Sequence, residues 1–300
     1  MLSHTMARPR LPQTCWLPHI GSMNELRLPA LLCIGPQRAG TSWLDQYLRA
    51  HGDFCLPALT KETFFFDEFY NRGLAHYAAF FEGSEQCLRA EVAPTYFDDP
   101  QALARIRHDL GSLKIVVTLR HPAERSYSLY LHHVRTGRVK GTLREAVATY
   151  PRLLTSSYYA EHVGRWTETF GRENVLVLFY EDLVADGDRW ARHISRFLGM
   201  AEVPVAAALR HTRVGPARRP YFQWLATTGH AMINLLRRWK LYRLLRLGRG
   251  LGLKRVIDGR PIDSGEGLTP ADRQYLVDAL RPQVEALEKM LGRELAAWKV

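Results

Sequence analysis

Short apolar runs alternate with amphipathic segments along this chain of 300 residues. The apolar runs are four to six residues long, which is typical of strands that are buried on both faces of a sheet. They lie at 31–34, 87–92, 114–119 and 174–179. Helical spacing of apolar positions, or a helix-starting proline, marks the segments 43–50, 122–130, 158–170, 190–198 and 270–291. Strands that alternate with helices predict an α/β domain with a central parallel sheet flanked by helices.

The loop after the first apolar run has the composition of an anion site. Gly35 and Pro36 end the predicted strand, and Thr41 and Ser42 stand where a helix would begin. Such a strand–loop–helix directs unpaired backbone N–H groups and the positive end of a helix dipole at one place, which favours an anion. Arg38 adds a cation within the loop. The alternative is a glycine-containing turn with no ligand.

The spacing of Gly35 and Gly40 matches the nucleoside-triphosphate loop, G-x-x-x-x-G-K-[ST]. Thr41 takes the place of the lysine that reaches a terminal triphosphate, and the cation lies inside the loop instead, at Arg38. We therefore expect this loop to bind a phosphate. The missing lysine argues against an ordinary ATPase or kinase.

A second anion site is predicted where the strand at 114–119 ends. Arg120 follows this strand directly, and Ser128 lies about two turns into the helix that Pro122 starts. Open parallel sheets place their ligands at the carboxyl ends of the strands. Arg120 and Ser128 could therefore bind a second anion at the same edge of the sheet.

A carboxylate beside aromatic residues is found in the segment 61–67, KETFFFD. Glu62 follows Lys61 and comes shortly before three phenylalanines. An apolar wall would hinder its ionisation and make it a better proton acceptor, as general base catalysis requires. A second interpretation is a surface Lys–Glu ion pair that leads into a buried aromatic cluster.

An excess of positive charge extends over the whole chain. The formal net charge is +11 and the isoelectric point is about 9.7, so acidic ligands are attracted. We find no zinc-finger, homeodomain or RNA-recognition motif and expect no nucleic-acid partner.

Within a basic segment at 205–262, nine cations lie between 237 and 260, opposed only by Asp258. The interleaved apolar residues predict an amphipathic helix that either contacts a membrane or an acidic, lipid-linked acceptor through 235–260, or packs on the domain.

The cellular compartment of the protein is predicted from its cysteines and its apolar runs. Cys15, Cys33, Cys55 and Cys87 show no paired spacing, and Cys33 lies in an apolar strand, which suits a reduced compartment. Residues 1–27, interpreted as a loose N-terminal extension, contain no apolar stretch of signal-peptide length. No run of about 20 apolar residues occurs elsewhere. We therefore expect a cytoplasmic protein, and the basic helix would allow peripheral contact with a membrane.

Five motifs in register resemble one enzyme family. They are GPQRAGTS at 35–42, KETFFFD at 61–67, EVAPTYF at 91–97, LRHPAERSYS at 119–128 and NVLVLFYEDL at 174–183. In this order and spacing they resemble sulfotransferases that use 3′-phosphoadenylyl sulfate (PAPS), above all bacterial sulfotransferases and the sulfotransferase domain of heparan sulfate enzymes. The resemblance covers about residues 30–200, with a weaker match at 276–298. It implies a P-loop-like nucleotide-binding sulfotransferase fold in a single domain at 28–300.

The resemblance also implies a role for each matched position. The loop would hold the 5′-phosphosulfate of the donor, with Arg38 in the place of a lysine that stabilises the bridging oxygen. Arg120 and Ser128 match ligands of the 3′-phosphate, and Glu62 matches the acidic base of the heparan-type enzymes. A basic loop at 211–220 lies at the place in the sequence where other family members have a loop that covers the nucleotide. The donor-binding residues implied in this way are Gln37, Arg38, Ala39, Gly40, Thr41, Ser42, Arg120, Ser128, Arg218 and Arg219. The resemblance implies no metal.

Two departures from the family pattern bear on the acceptor. Val92 and Ala93 stand where the heparan glucosaminyl enzymes have a lysine and a threonine, which argues against a heparan-like acceptor. No histidine matches the base of the phenol and steroid enzymes, and we expect His121, His132 and His133 to be structural or exposed. We predict transfer of a sulfuryl group from PAPS to a hydroxyl or amine of a glycan, lipid-linked or secondary-metabolite acceptor. The alternatives are a nucleotide-dependent phosphotransferase and a non-catalytic basic protein that associates with membranes.

Overall fold

A computed structural model describes residues 26–81, 87–202, 204–210, 217–219, 228, 232, 235, 260–262 and 267–300. Its central strands are β1 (Leu31–Ile34), β2 (Phe54–Cys55), β3 (Leu88–Val92), β4 (Lys114–Leu119) and β5 (Val175–Phe179). They form one parallel sheet of five strands in the order β2-β3-β1-β4-β5. The predicted α/β class with a central parallel sheet is confirmed.

Helices cover both faces of the sheet. They are α1 (Thr41–His51), α2 (Leu74–Ala78), α3 (Pro100–Leu110), α4 (Pro122–Arg135), α5 (Leu143–Thr149), α6 (Arg152–Thr155), α7 (Tyr159–Phe170), α8 (Tyr180–Ala185), α9 (Gly187–Leu198), α10 (Ala207–Arg210) and α11 (Pro270–Leu291). A short antiparallel pair of strands, β6 (Ala217–Arg219) with β7 (Arg260–Ile262), lies beside α4. Each of the five segments with a predicted helical pattern overlaps one of these helices.

Side chains alternate between the two faces of the sheet and enter two separate apolar clusters. Leu32 and Ile34 of β1 pack on the face that α7 and α11 cover, whereas Leu31 and Cys33 lie on the face of α1 and α9. All four side chains of β1 are buried. A strand covered on both faces must be apolar at every position, and its sequence therefore shows a continuous run.

The order of the strands brings both predicted anion sites to one edge of the sheet. β1 lies between β3 and β4, and Ile34 at its carboxyl end is paired with Val117 of β4. After β1 the chain passes to one side of this strand, where β2 and β3 lie. After β3 it crosses to the other side of β1, where β4 lies. Open α/β sheets bind ligands in the crevice where the direction of winding reverses. The loop after β1 and the residues after β4 therefore flank the same crevice.

Several predictions from the sequence fall outside the described residues. They concern most of the N-terminal extension, residues 1–25, and most of the basic segment at 205–262. Arg218 and Arg219 are described through their backbone, as part of β6. The division into a loose extension at 1–27 and one domain at 28–300 stays a prediction. In the part of the chain that the structure describes, no helix is long and apolar enough to cross a membrane.

Two of the cysteines form a disulfide bond that their spacing did not predict. Cys55, the last residue of β2, is bonded to Cys87, which precedes β3, and the two Cα atoms are 5.7 Å apart. The expectation of unpaired cysteines in a reduced compartment is therefore wrong for this pair, whereas Cys33 is free and buried. The pairing was hidden because adjacent parallel strands bring together residues that are 32 positions apart in the chain.

Removing this disulfide should lower the stability of the fold. A cross-link between residues 32 positions apart restricts the unfolded chain, and the chain-entropy relation gives about 3–4 kcal/mol for a loop of this size. We expect the double variant Cys55→Ser, Cys87→Ser to lose about that much free energy of unfolding in urea. Dithiothreitol should destabilise the wild type and leave the double variant unchanged. Equal numbers of thiols reacting in denaturant before and after reduction would contradict the bond.

Candidate active site

The loop between β1 and α1 has a backbone that leaves the end of the helix open. Gly35, Arg38 and Gly40 have positive φ values of 146°, 76° and 92°. Holding a non-glycine residue such as Arg38 in this region costs on the order of 1–2 kcal/mol. No side chain caps α1, and its first turn contains no acidic residue. The positive end of the helix dipole is therefore uncompensated at the place where an anion is predicted.

Gly35 determines how close this loop lies to the neighbouring strand. A Cβ atom added at Gly35 would lie 2.6 Å from the carbonyl oxygen of Thr118 in β4, which is closer than packed atoms approach. Any side chain would therefore push the loop away from the end of β4. Because Arg120 comes two residues after Thr118, Gly35 also fixes the distance between the two predicted anion sites.

The two predicted anion sites meet in a direct hydrogen bond. Arg38 Nε donates to Oγ of Ser128 over 2.9 Å, although the two residues are 90 positions apart in the chain. Ser128 lies in the second turn of α4 and is 1% exposed. The loop after β1 and the helix after β4 therefore form one continuous polar surface.

Arg120 extends this surface from the end of β4. Its Nη2 donates to Oε2 of Glu124 over 2.7 Å, and its guanidinium carbon lies 5.0 Å from the centre of the Tyr180 ring. The same ring lies against the loop, since a Cβ atom at Gly40 would be 2.9 Å from Tyr180 Cδ2. Arg120 is buried, and among the described residues its Nε has no hydrogen-bond partner. A buried guanidinium N–H without an acceptor fits an anionic ligand.

Glu124 holds the Arg120 side chain in place as a charged carboxylate. Burial opposes ionisation of Glu124, but the hydrogen bond and charge of Arg120, together with the charges of His121 and Arg273, outweigh burial and lower its pKa. Arg273 lies 3.6 Å from its other oxygen. Glu124 therefore neutralises part of the positive charge and leaves the Nε of Arg120 without an acceptor among the described residues.

The segment that carries Glu62 lies against the start of α1. Lys61 Nζ donates to Oγ1 of Thr41 over 3.2 Å and to Oε1 of Glu62 over 3.4 Å. The side chain of Glu62 is largely buried. The structure thus brings the predicted base to the loop that is predicted to bind the anion. The Lys–Glu pair and a buried aromatic cluster around Phe65 and Phe66 are both present.

Hydrogen bonds on both sides of Glu62 fix the backbone of this turn. On one side, Arg49 of α1 donates to the carbonyl oxygen of Thr60 over 3.2 Å, and Thr60 Oγ1 donates to the carbonyl oxygen of Glu62 over 2.9 Å. On the other side, the backbone N–H and the hydroxyl of Thr63 donate to Oε1 of Glu91 over 2.8 and 2.6 Å. The turn is therefore held between α1 and β3.

Glu91 of β3 is a fully buried carboxyl group that anchors this turn. Its second oxygen accepts a hydrogen bond from Tyr77 Oη over 2.7 Å. Burial raises the pKa of Glu91 to about 7. The donors from Thr63 and Tyr77 oppose this rise, and the charge of Asp67 adds to it. Glu91 therefore titrates near neutral pH in the folded chain.

The remaining predicted residues lie in the loop after β1, at the start of α1 and in β6. Ala39 is buried, whereas Gln37 and Ser42 are partly exposed. Arg218 and Arg219 belong to β6, whose backbone lies beside α4. The part of each in binding a donor stays a prediction. No cluster of His, Cys, Asp and Glu that could hold a metal ion occurs among the described residues.

The histidines near α4 are in packed positions. His133 is buried, and burial lowers its pKa to about 4. His132 Nδ1 accepts a hydrogen bond from Arg135 over 2.8 Å. His121 is buried, and burial lowers its pKa as well.

Three residues of the site were missed in the sequence. Tyr180 follows β5 directly, and its position at the carboxyl end of a strand could have revealed it. Glu91 is a lone carboxylate within an apolar run, which is itself a sign of a buried polar network. Lys61 was seen only as a neighbour of Glu62, and its contact with Thr41 depends on a loop without periodicity.

Comparison with known proteins finds similarity to sulfotransferases. The family described as sulfotransferase domain matches residues 28–240. Bifunctional heparan sulfate N-deacetylase/N-sulfotransferase 1 of Xenopus laevis is 31% identical over 196 residues, which are 58% of this chain and 22% of that protein. Heparan sulfate glucosamine 3-O-sulfotransferase 6 of Mus musculus is 29% identical over 209 residues, which are 67% of this chain and 60% of that protein.

The fold has a counterpart among solved structures. The crystal structure of a sulfotransferase from Alicyclobacillus acidocaldarius superposes with a TM-score of 0.63 at 24% identity, and it covers 91% of this chain and 99% of that chain. At this identity the likeness shows the fold alone. The chain spans only 22% of the length of the Xenopus relative.

The buried Glu91 should make the stability of the fold depend on pH. Its pKa of about 7 lies above the ordinary value of 4.5, so between these two values Glu91 binds more protons in the folded chain than in the unfolded chain. Glu91 should therefore contribute a free energy of unfolding that falls as the pH rises from about 5 to about 7. We expect the free energy of unfolding in urea to fall more over this pH range in wild type than in Glu91→Gln, and the exposed Glu68→Gln to follow wild type. Identical pH profiles for wild type and Glu91→Gln would contradict the assignment.

Proposed function

This chain belongs to the sulfotransferase family, and on that premise we propose that it is an enzyme that transfers a sulfuryl group from PAPS to an acceptor. The hydrogen bond between Arg38 and Ser128 carries this proposal. It joins an open helix N-terminus, which suits one anionic end of the donor, to the helix that follows the buried guanidinium of Arg120, which suits the other. PAPS has two such ends, a 5′-phosphosulfate and a 3′-phosphate.

Each end of the donor would have its own residues. The loop from Gln37 to Ser42 would hold the 5′-phosphosulfate with backbone N–H groups and hydroxyls. Arg120 and Ser128 would hold the 3′-phosphate, Arg120 through the Nε that has no partner among the described residues. Arg218 and Arg219 would reach the same phosphate from β6, which lies beside α4.

Arg38 would stabilise the charge that grows on the bridging oxygen. An arginine is charged at every physiological pH and presents several N–H donors. Positioning and charge stabilisation dominate phosphoryl transfer, the closest well-understood reaction, and one preorganised donor contributes on the order of 100- to 1,000-fold in rate. The positive φ of Arg38 fits a side chain that is held ready by its backbone.

Glu62 would accept the proton of the attacking group. The acceptor oxygen or nitrogen forms a bond to sulfur, the bond between sulfur and the bridging oxygen breaks, and the electron pair leaves with the 3′,5′-bisphosphate. Glu62 suits this role because its turn is fixed on both sides and lies against the start of α1. Positioned proton transfer contributes typically about 100- to 10,000-fold.

The acceptor is proposed as a hydroxyl or amine of a glycan, lipid-linked or secondary-metabolite molecule. The names of the two relatives above include heparan sulfate, which supports a glycan. Val92 at the end of β3 is fully buried, so this position adds no positive charge to the crevice. This supports an acceptor that is less anionic than heparan.

Glu62→Gln should remove turnover while leaving donor affinity nearly intact, because the amide cannot accept the proton. We expect turnover to fall about 100-fold or more, measured by mass detection of the sulfo group on an acceptor panel with labelled PAPS. The dissociation constant of the bisphosphate product should stay within about twofold of wild type. Glu68→Gln, an exposed change on the same segment, is the control. Wild-type turnover in Glu62→Gln would exclude Glu62 as the base.

Arg120→Ala should weaken nucleotide binding. A buried charged hydrogen bond contributes about 1.5–3 kcal/mol, which corresponds to about a tenfold to hundredfold higher dissociation constant for the bisphosphate by calorimetry. Arg172→Ala, at an exposed position before β5, is the matched control and should bind as wild type does. An unchanged dissociation constant in Arg120→Ala would remove Arg120 from the donor site.

A further inference from the structure

The side chain of Lys61 lies at a place where a cation is electrostatically unfavourable. Its Nζ is 3.2 Å from Oγ1 of Thr41, the first residue of α1. The N-terminus of a helix carries a partial positive charge, and Arg38 adds a full one in the same loop. A lysine is stabilised at such a place when an anion lies between it and the helix.

Glu62 alone does not account for this position. The ammonium group lies 3.4 Å from Oε1 of Glu62, which is long for a charge-assisted hydrogen bond. Ion pairs near the surface contribute little to stability. The contact with Thr41 therefore places the ammonium group at the helix end where an anion is predicted.

The structure fixes the backbone of Lys61 and allows its side chain to change partners. Hydrogen bonds from Arg49 to Thr60 and from Thr63 to Glu91 hold the turn on both sides. Lysine has a flexible four-carbon stem and three N–H donors, and this side chain is 23% exposed. It can exchange the Thr41 hydroxyl for an anion at the same helix end without a shift of the backbone.

We propose that Lys61 is a donor-binding residue that contacts the transferring sulfuryl group and passes from Glu62 to that group when PAPS binds. The inference rests on the proposed function. Arg38 and Lys61 divide the charge of the reaction between them, with Arg38 at the bridging oxygen and Lys61 at the sulfuryl oxygens. Once Lys61 has left Glu62, the carboxylate is open to the proton of the acceptor.

A comparison of two nucleotides tests this inference, because PAPS carries the sulfuryl group and its product, 3′-phosphoadenosine 5′-phosphate, lacks it. Calorimetric titration without acceptor gives both dissociation constants. We expect Lys61→Gln to weaken PAPS binding about tenfold and to change product binding by less than about twofold. Lys61→Arg should recover most of the loss. The control Lys140→Gln, at an exposed lysine after α4, should match wild type.

Other roles for Lys61 give different results. Equal affinity for PAPS in wild type and Lys61→Gln would overturn the inference alone, since product binding would show that the site is intact. A loss of turnover in Lys61→Gln that disappears in a Glu62→Gln background, with PAPS affinity unchanged, would assign Lys61 to positioning Glu62. If the wild type binds neither nucleotide, the proposed function fails and this inference falls with it.

Discussion

One hydrogen bond, from the Arg38 guanidinium to the Ser128 hydroxyl, is the contact on which the arrangement of the crevice depends. It forms because β1 and β4 are neighbours in register and because Gly35 lets the loop lie directly against Thr118. The Tyr180 ring contacts both the loop and Arg120, which fixes the second cation relative to the first. The sheet thus determines where the charged side chains lie, and these charges determine which ligands the crevice can bind.

This arrangement of charges and backbone is unfavourable for the folded chain when no ligand is bound. Arg38 and Lys61 lie at an uncapped helix N-terminus, Arg38 has a strained backbone, and the carboxylates of Glu62 and Glu124 neutralise the positive charge only in part. Repulsion and strain of this kind are offset by the two apolar clusters of the sheet. An anion in the crevice relieves the repulsion, and the preference for acidic ligands is therefore a direct result of how the site is built.

The sequence predicted the sheet far better than the surroundings of Glu62. The predicted strands at 31–34 and 114–119 coincide with β1 and β4, because a strand buried on both faces leaves a continuous apolar run. Arg120 was predicted at this edge from the end of a strand, and Ser128 from its spacing in the helix that follows. β2 has only two residues and no pattern, while α3 was overlooked although Asp99 caps it clearly. The disulfide and the contact of Lys61 with Thr41 arise from tertiary packing, which no local pattern encodes.

Glu62, the proposed base, lies on a loop, and the precision that a helix or strand would supply comes from elsewhere. Arg49 holds the turn to α1, and the disulfide from Cys55 to Cys87 closes the whole segment. Glu91 holds the turn to β3 through a buried carboxyl group that is satisfied by Thr63 and Tyr77. Burial of that group is costly unless every donor remains in place, so a displacement of the turn breaks several hydrogen bonds at once. A loop under three such constraints loses little entropy when a ligand binds, and Glu62 can therefore be held as accurately as a residue of a regular element.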